Sequence, residues 1–341
     1  MDLICLGEIL IDLFPAEIGC RLAEVTAFRP KPGGAPANVA VAAARLGFST
    51  AFIGKVGADA FGEHLIATLE QEGVVTRGMR RDPQARTTLA FIAMPDPHHA
   101  EFVFYRNPGA DLQLRAAELD HALLGSARAL HCGSLSLVAE PARTASFTAV
   151  GLARQAGALI SFDVNFRPSL WPAPEAALEQ IQALIPQVDV LKVNEIELRL
   201  LGSADAGQLD AAGLAAGCQE LLGRGPHLVI VTLGQYGSFF ATRAISGFVP
   251  AFKVATVDAT GCGDAFVAGL LTRLLQGDDW QAHLTAASLK AALRYANAVG
   301  ALTALTQGVI PALPRAAQVA EFLASAPETV SGLPAALVDP V

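Results

Sequence analysis

The stretch DATGCGDAFVAG, from Asp258 to Gly269, organises the reading of this chain. Val254, Thr256 and Val257 before it read as the end of a short strand. Ala265 to Gln276 after it reads as a helix with Phe266, Leu270 and Leu274 on one stripe. Gly261 and Gly263 between them permit a tight turn with bare backbone amides. A glycine turn that opens a helix is an anion site, because free N–H groups and the positive end of the dipole converge on one spot. Asp264 stands at its mouth, where a carboxylate can take a proton from a hydroxyl while amides hold a phosphoryl group. Aspartate is also a frequent helix cap, and the local sequence leaves both roles open.

Outward from that turn the chain alternates. Buried strands are expected at Leu3–Leu6, Ala51–Val56, Ala129–Cys132, Leu159–Asp163, Val188–Val193 and Leu228–Thr232. A helix is expected at Ala37–Leu46, and a helical pattern follows each later strand. This rhythm predicts an α/β fold with a mostly parallel, doubly wound sheet flanked by helices. Two segments interrupt it. Thr87–Met94 and Ala100–Arg106 face each other across Pro95, Asp96 and Pro97 as an antiparallel hairpin, with His98 and His99 solvated in its turn. Phe14–Pro32 is strand-and-turn material. Together they predict a small appended sheet, with lid segments at about 12–32 and 86–106. One domain is expected over 1–326, and the tail Pro327–Val341 is expected to be loosely ordered.

Composition narrows the function. Of 341 residues, 52% are hydrophobic and 16% charged, which is a globular balance with room for a sizeable core. A net charge of -8 with scattered signs argues against nucleic acid as a partner. A phosphate ligand would then need local cations or a metal. Cys5, Cys20, Cys132, Cys218 and Cys262 are odd in number without a CxxC pair, so reduced thiols in a cytoplasmic protein are expected. Cys262 reads either as a reactive thiol at a helix start or as a small residue tolerated in the turn. Asp2, Glu8 and Asp12 interrupt the first apolar run, so neither a signal peptide nor a membrane span is expected. No P-loop, HExxH or GxSxG pattern occurs, and GCGDAF places Phe266 where a dinucleotide fingerprint needs its third glycine.

In open parallel sheets a ligand lies beyond the carboxyl ends of the strands. Those ends are polar here: Asp12, Asp163 with Asn165, Lys192 with Asn194, and Thr232 with Gly234. Gly33, Gly34 and Asn38 form a second glycine-rich helix start, and Asn38 is a mediocre helix former among strong ones. Asp12 suits adjacent hydroxyls or simply ends a strand. Arg106 can reach over a ligand or stand as a solvated rim charge. Asn194 and Glu197 share a helix face by their spacing, although Glu197 also reads as a solvated helix residue.

These segments resemble the ribokinase (PfkB) family of sugar kinases. GGAPANVAVAAARLG at Gly33–Gly47 is similar to the family's amino-terminal signature, and DATGCGDAFVAG to its carboxy-terminal one. EFVFYRNPGADLQL, HCGSLSLVAEPAR, SFDVNFRPSLW and KVNEIEL resemble segments of the family's fructokinases, in order. The resemblance covers about residues 3–325. It implies a ribokinase-like fold with a small β-sheet lid, and transfer of the ATP γ-phosphoryl group to a sugar hydroxyl, giving fructose 6-phosphate from fructose. It also implies the roles. Asp264 matches the catalytic base, and Gly261, Cys262 and Gly263 match the anion hole. Asp12, Gly33, Gly34, Asn38 and Arg106 match sugar contacts. Asn194 and Glu197 match an element tied to magnesium and phosphate, with Asn165, Arg167 and Lys192 beside it. Thr232, Gly234 and Gly237 match a nucleotide segment, and Asn297 an adenine-side position. Asp258, Thr260, Thr303, Thr306 and Gly308 match a monovalent-cation site, for which potassium is expected. Cys262 stands where many members have alanine, and Ala259 where threonine is common.

ATP, magnesium and potassium are thus the expected cofactors, and a homodimer through the lid, known in the family, is an expected partner state. The alternatives are a 2-keto-3-deoxygluconate kinase, which shares the Tyr-Arg and DxNxRxxLW patterns, and a related protein that binds sugar without catalysis. A sugar hydroxyl is too weak an acid to ionise before attack, so Asp264 need only accept the proton as the bond forms, an effect of roughly 10²–10⁴-fold. Each amide donor contributes on the order of 10²–10³-fold. Both exceed the ~1 kcal/mol of a helix cap.

Overall fold

Short apolar runs rich in valine, isoleucine and leucine line up side by side as strands, and the longer periodic segments wrap them as helices. The computed structural model describes all residues except 18, 97–98, 203–209, 326 and 334–341. Its strands are β1 Leu3–Leu6, β2 Leu10–Pro15, β3 Phe28–Gly33, β4 Thr50–Gly57, β5 Val75–Asp82, β6 Leu89–Asp96 and β7 His99–Tyr105. They continue as β8 Ala129–Gly133, β9 Leu159–Asp163, β10 Val190–Asn194, β11 Leu228–Thr232, β12 Gly237–Ala241 and β13 Ser246–Pro250. Nine of them form one sheet in the order β13-β12-β11-β10-β9-β8-β1-β4-β5. Every neighbouring pair from β5 to β11 is parallel, and β12 and β13 return antiparallel at one edge.

The period of two along a strand divides the core. Leu3 and Cys5 of β1 enter one apolar cluster, with the helices Ala35–Arg45, Cys262–Leu274 and Ala286–Thr303. Ile4 and Leu6 enter the other, with Ala142–Gln155, Pro174–Leu184 and Ala211–Leu222. Alternate residues facing opposite layers is what a doubly wound sheet requires. Among the described residues no helix is long and apolar enough to cross a membrane.

The remaining strands form a separate sheet, β3-β2-β6-β7. Its register sets Ile11, Leu89 and Tyr105 in one row and Asp12, Lys31, Ala90 and Phe104 in the next. Neighbouring rows face opposite sides, so Asp12 and Tyr105 point apart.

Several local expectations change. Val254–Val257 is not a strand, and among the described residues it pairs with no sheet neighbour. The amides of Val257 and Asp258 instead donate to the Ala304 carbonyl at 2.8 and 3.2 Å. The helix expected at Ala265–Gln276 begins at Cys262 and ends at Leu274, and the helix expected at Ala37–Leu46 is Ala35–Arg45, with Pro36 in its first turn. His99 opens β7 opposite Asp96 instead of lying in the hairpin turn, and His98 lies outside the described residues. The start of the tail is not loose: Thr329 bridges Phe252, and Lys253 and Val330 donate across to Glu328 and Ala251. Its last eight residues lie outside the described set.

The loop between β1 and β2 leads from the large sheet into the small one and presses on Gly34, the residue that caps the helix Ala35–Arg45. Gly34 has φ 108°, and a Cβ there would lie 2.5 Å from the Glu8 carbonyl oxygen. Gly47 has φ 100° with open space around it. Both alanine variants should lose at least about 1 kcal/mol of stability to backbone strain. Gly34→Ala should lose clearly more than Gly47→Ala in urea unfolding midpoints, and equal midpoints would show that the Glu8 loop yields freely.

Candidate active site

The helix Cys262–Leu274 starts from Gly261, whose φ of 79° is left-handed and whose place against Val309 leaves no room for a Cβ, 2.2 Å away. Cys262 N–H donates to the Ala259 carbonyl at 3.2 Å. Among the described residues, the N–H groups of Gly263 and Asp264 have no protein acceptor. Of the three amides expected to form an anion hole, only that of Cys262 is taken; among the described residues those of Gly261 and Gly263 have no protein acceptor, and the Asp264 amide joins them at the helix start.

Asp264 is not the helix cap. That position belongs to Gly261, and the Asp264 side chain makes no capping bond. Its Oδ2 accepts from Asn38 Nδ2 at 2.8 Å, across 226 residues of sequence. Asn38 is buried one turn inside the helix Ala35–Arg45, so two glycine-started helices meet through this bond. Withdrawal from water pushes Asp264 up to about 7, and Asp163 adds to the rise. The Asn38 bond, Lys192 and Arg167 oppose it. A base poised there takes a proton near neutral pH.

Asp12 of β2 is buried and also pushed up to about 7, first by burial, then by Asp264, Asp258 and Glu8, with Arg167 opposing. Its carboxylate lies across Gly33, where a Cβ would come within 1.9 Å of Oδ2. Arg106 is not a rim charge. It is buried, with Nε donating to Asp111 Oδ2 at 2.8 Å, Nη2 to the same oxygen, and Nη2 to the Leu135 carbonyl at 3.0 Å. Its Nη1 has no partner among the described residues.

The other side of Asp264 is built from the ends of β9 and β10. Lys192 is buried and paired with both oxygens of Asp163 at 3.0 and 3.1 Å. A side chain at Gly263 would come within 3.6 Å of the Lys192 ammonium, which places that charge beside the open amides. Burial works against the charge on Lys192, yet Asp163 and Glu197 carry its pKa above the ordinary lysine value. Asn165 holds φ 38°, a strained value for a residue with a side chain, and donates to Asp163 Oδ1 at 3.2 Å. Arg167, half-buried, follows it.

Glu197 is buried, not solvated. With Asn194 it forms a reciprocal capping box, its Oε2 accepting from the Asn194 amide at 2.8 Å and Oε1 from the Phe166 amide at 2.7 Å. Asn194 is thus the cap and Glu197 the third helical residue. Both Glu197 oxygens are already engaged, and among the described residues no cluster of three or more His, Cys, Asp or Glu is placed to hold a metal. The residues present fit a magnesium ion that arrives on nucleotide phosphates with its own waters. Thr232 Oγ1 donates to Val193 O at 3.4 Å, and Gly234 and Gly237 form the turn after β11 with φ 51° and 126°. Asn297 is engaged at both ends of its amide, donating to Val249 and Pro250 carbonyls and accepting from Ser238.

Asp258, buried, accepts from the amides of Thr260 and Gly308, both at 2.9 Å, and gathers the loop that follows Thr303. Thr303 Oγ1 donates back to Val299, its carbonyl accepts from the Thr306 amide at 3.5 Å, and Thr306 is exposed.

Sequence reasoning passed over Glu8, Asp111, Thr88 and Lys31 as site residues. Thr88 donates to Asp111, and Lys31 donates to the Gln307 carbonyl at 3.0 Å beside the Asp258 loop. A signal existed for Glu8, a lone charge between apolar runs, but it was used only to exclude a signal peptide.

Comparison with known proteins agrees with this geometry. The family model described as pfkB family carbohydrate kinase matches residues 1–316. Fructokinase-1 of Oryza sativa subsp. japonica is 44% identical over 320 residues, covering 94% of this chain and 97% of the relative. The crystal structure of fructokinase with bound ATP from Xylella fastidiosa superposes with a TM-score of 0.86 at 36% identity, covering 95% of this chain and 98% of that one. A fructokinase double mutant from Vibrio cholerae O395, bound to fructose, ADP and potassium, gives 0.82 at 33% identity, over 95% and 98%. The match includes both glycine-started helices and the Asp264 they present, and this chain belongs to the pfkB family of carbohydrate kinases.

Proposed function

We propose that this chain is an ATP-dependent fructokinase that transfers the γ-phosphoryl group to the primary hydroxyl of fructose, giving fructose 6-phosphate and ADP. The observation that carries it is the Asp264 carboxylate beside two open amides, held by Asn38 and close enough to Asp12 for each acid to feel the other's charge. Asn38 occupies one Asp264 oxygen and leaves the other for the sugar hydroxyl. As the new O–P bond forms, the hydroxyl proton passes to Asp264, and the bond from the γ-phosphorus to its bridging oxygen breaks to release ADP. The amides of Gly263 and Asp264, with Lys192 and Arg167, face the equatorial oxygens. Magnesium, when bound with the nucleotide, neutralises phosphate charge.

Charge supports a neutral sugar over 2-keto-3-deoxygluconate. Arg106 is already matched by Asp111, and Glu8, Asp12 and Asp264 make that side of the cleft acidic. A keto acid would add a carboxylate there. The open glycine turn and Asp264 likewise speak against a non-catalytic sugar binder. Nucleotide contacts belong to Asn165, Arg167, Lys192, Asn194, Glu197, Thr232, Gly234, Gly237 and Asn297 in this proposal, and potassium to Asp258, Thr260, Thr303, Thr306 and Gly308. The five free cysteines suit a cytoplasmic setting.

A substrate panel with ATP and magnesium tests the activity. Fructose should be turned over faster than the keto acid, and ADP release should fall when potassium is replaced by tetramethylammonium. Preference for the keto acid would reassign the substrate, and indifference to the cation would leave Asp258 a loop-closing residue. Asp264→Asn should retain sugar binding in calorimetry while turnover falls by about 100-fold or more; near-normal turnover would remove Asp264 from the chemistry. Finally, Phe91 contacts Phe28 and Tyr105 at 5.1 and 5.0 Å on the side of the small sheet facing away from Asp12, with Tyr105 66% exposed. A homodimer through that side predicts twice the mass of one chain in sedimentation equilibrium, and Tyr105→Glu should return it to one.

A further inference from the structure

The face of the small sheet that carries Asp12 reaches the loop behind the Asp264 helix through one side chain. Lys31 of β3 is the cross-strand partner of Asp12 in β2, so the two rise from the same face. Pro30 and Pro32 flank Lys31 on this edge strand and stiffen the backbone from which it projects. Its ammonium stands 4.9 Å from the centroid of the Phe14 ring and donates to the Gln307 carbonyl at 3.0 Å, across 276 residues of sequence. The approach is close: Gly308 has φ 92°, and a Cβ on it would lie 2.6 Å from Lys31 Nζ.

The Gln307 carbonyl and the Gly308 N–H belong to one peptide group. Its N–H end is also taken, donating to Asp258 Oδ2 at 2.9 Å. A single rigid plane is thus gripped at both ends, by an ammonium at its oxygen and a carboxylate at its hydrogen. Those charges match the polarity of the peptide, so each bond strengthens the other. Both grips lead on to the helix start. Asp258 Oδ1 accepts from the Thr260 amide at 2.9 Å, in the turn that runs into Gly261. Val309, the residue after the gripped peptide, packs on Gly261, where a Cβ would come within 2.2 Å of Val309 Cγ1. Partial burial lowers the Lys31 pKa and Asp258 acts against that fall.

We propose that Lys31 is a positioning residue for sugar binding, the strut that holds the small sheet against the turn opening the Asp264 helix. Through the Gln307–Gly308 peptide it fixes the place of its neighbour Asp12 relative to Asp264. Without the strut the sugar must place the sheet itself, and its apparent affinity falls by the fraction of time the sheet is in position. The inference rests on the sugar-kinase reading above and assigns a residue that reading does not use.

Lys31→Met keeps most of the stem beside Phe14 and removes the donor. With the preferred sugar of the wild-type panel, this variant should raise the sugar KM by roughly 5-fold. The KM for ATP should stay within about twofold. Hydrogen exchange reads the strut without substrate: peptides covering residues 304–310 should exchange roughly 10-fold faster than in wild type, and those covering β8 and β9 at the wild-type rate. Arg29→Met removes another cation from the same strand and face, and should change none of these. A sugar KM within about twofold of wild type, or equal shifts for sugar and ATP, would overturn the role. So would unchanged exchange at 304–310, faster exchange throughout the large sheet, or the same changes in Arg29→Met. The exchange measurement needs no turnover, so a failed strut is told apart from a failed kinase reading.

Discussion

The hydrogen bond from Asn38 Nδ2 to Asp264 Oδ2 is the contact on which the site depends. Each partner sits near the start of a helix opened by a glycine in a left-handed or related conformation, Gly34 on one side and Gly261 on the other. Neither helix start could carry a Cβ at that glycine without striking its neighbour. The two helices pack side by side over the same face of the large sheet, in the same apolar cluster. Rigid packing of the helices is what turns a single polar bond into a fixed orientation for the carboxylate. With one oxygen held, the orientation of the other is fixed as well.

Concentrating acids there opposes stability. Glu8, Asp12 and Asp264 all stand near 7, well above the ordinary carboxylate range, chiefly because they are withdrawn from water. The folded state then binds more protons than the unfolded chain between about pH 4 and 7, so these three groups favour folding at the low end and lose that contribution as pH rises through 7. Asn165 adds backbone strain at φ 38° beside the Asp163–Lys192 pair. Two apolar layers, each continuous along the nine-stranded sheet, hold these unfavourable features in place. Destabilising groups gathered in a cleft on a well-packed scaffold are what a catalytic site looks like energetically.

Much of this was legible because it is local. Leu3–Leu6, Leu159–Asp163 and Leu228–Thr232 are strands over the same residues that their apolar runs mark. Gly33–Gly34 and Gly261 mark helix starts because only glycine accepts those backbone angles and approaches. The errors have one cause. Val254–Val257 has the residue types of a strand, yet strandhood needs a partner strand, and the Val257 amide goes to the Ala304 carbonyl instead. Arg106 and Glu197 look like solvent charges along the chain, and both are buried because partners arrive from elsewhere: Asp111 and Leu135 for one, Phe166 and Asn194 for the other.

By itself, the sequence determined the alternation of strands and helices, the two glycine turns and the acid that follows the second of them, since each depends on backbone conformation within a few residues. Tertiary structure alone decided which groups meet. Asn38 reaches Asp264 across 226 residues, Lys192 comes to lie beside Gly263, and Glu8 accepts from the Ala35 amide at the start of the next helix. Such pairings follow from the order in which parallel strands assemble, β8 entering beside β1 and β1 beside β4, and no window of sequence contains that order. Electrostatics in the cleft acts between residues brought together by crossover connections, so it exists only once the sheet has formed.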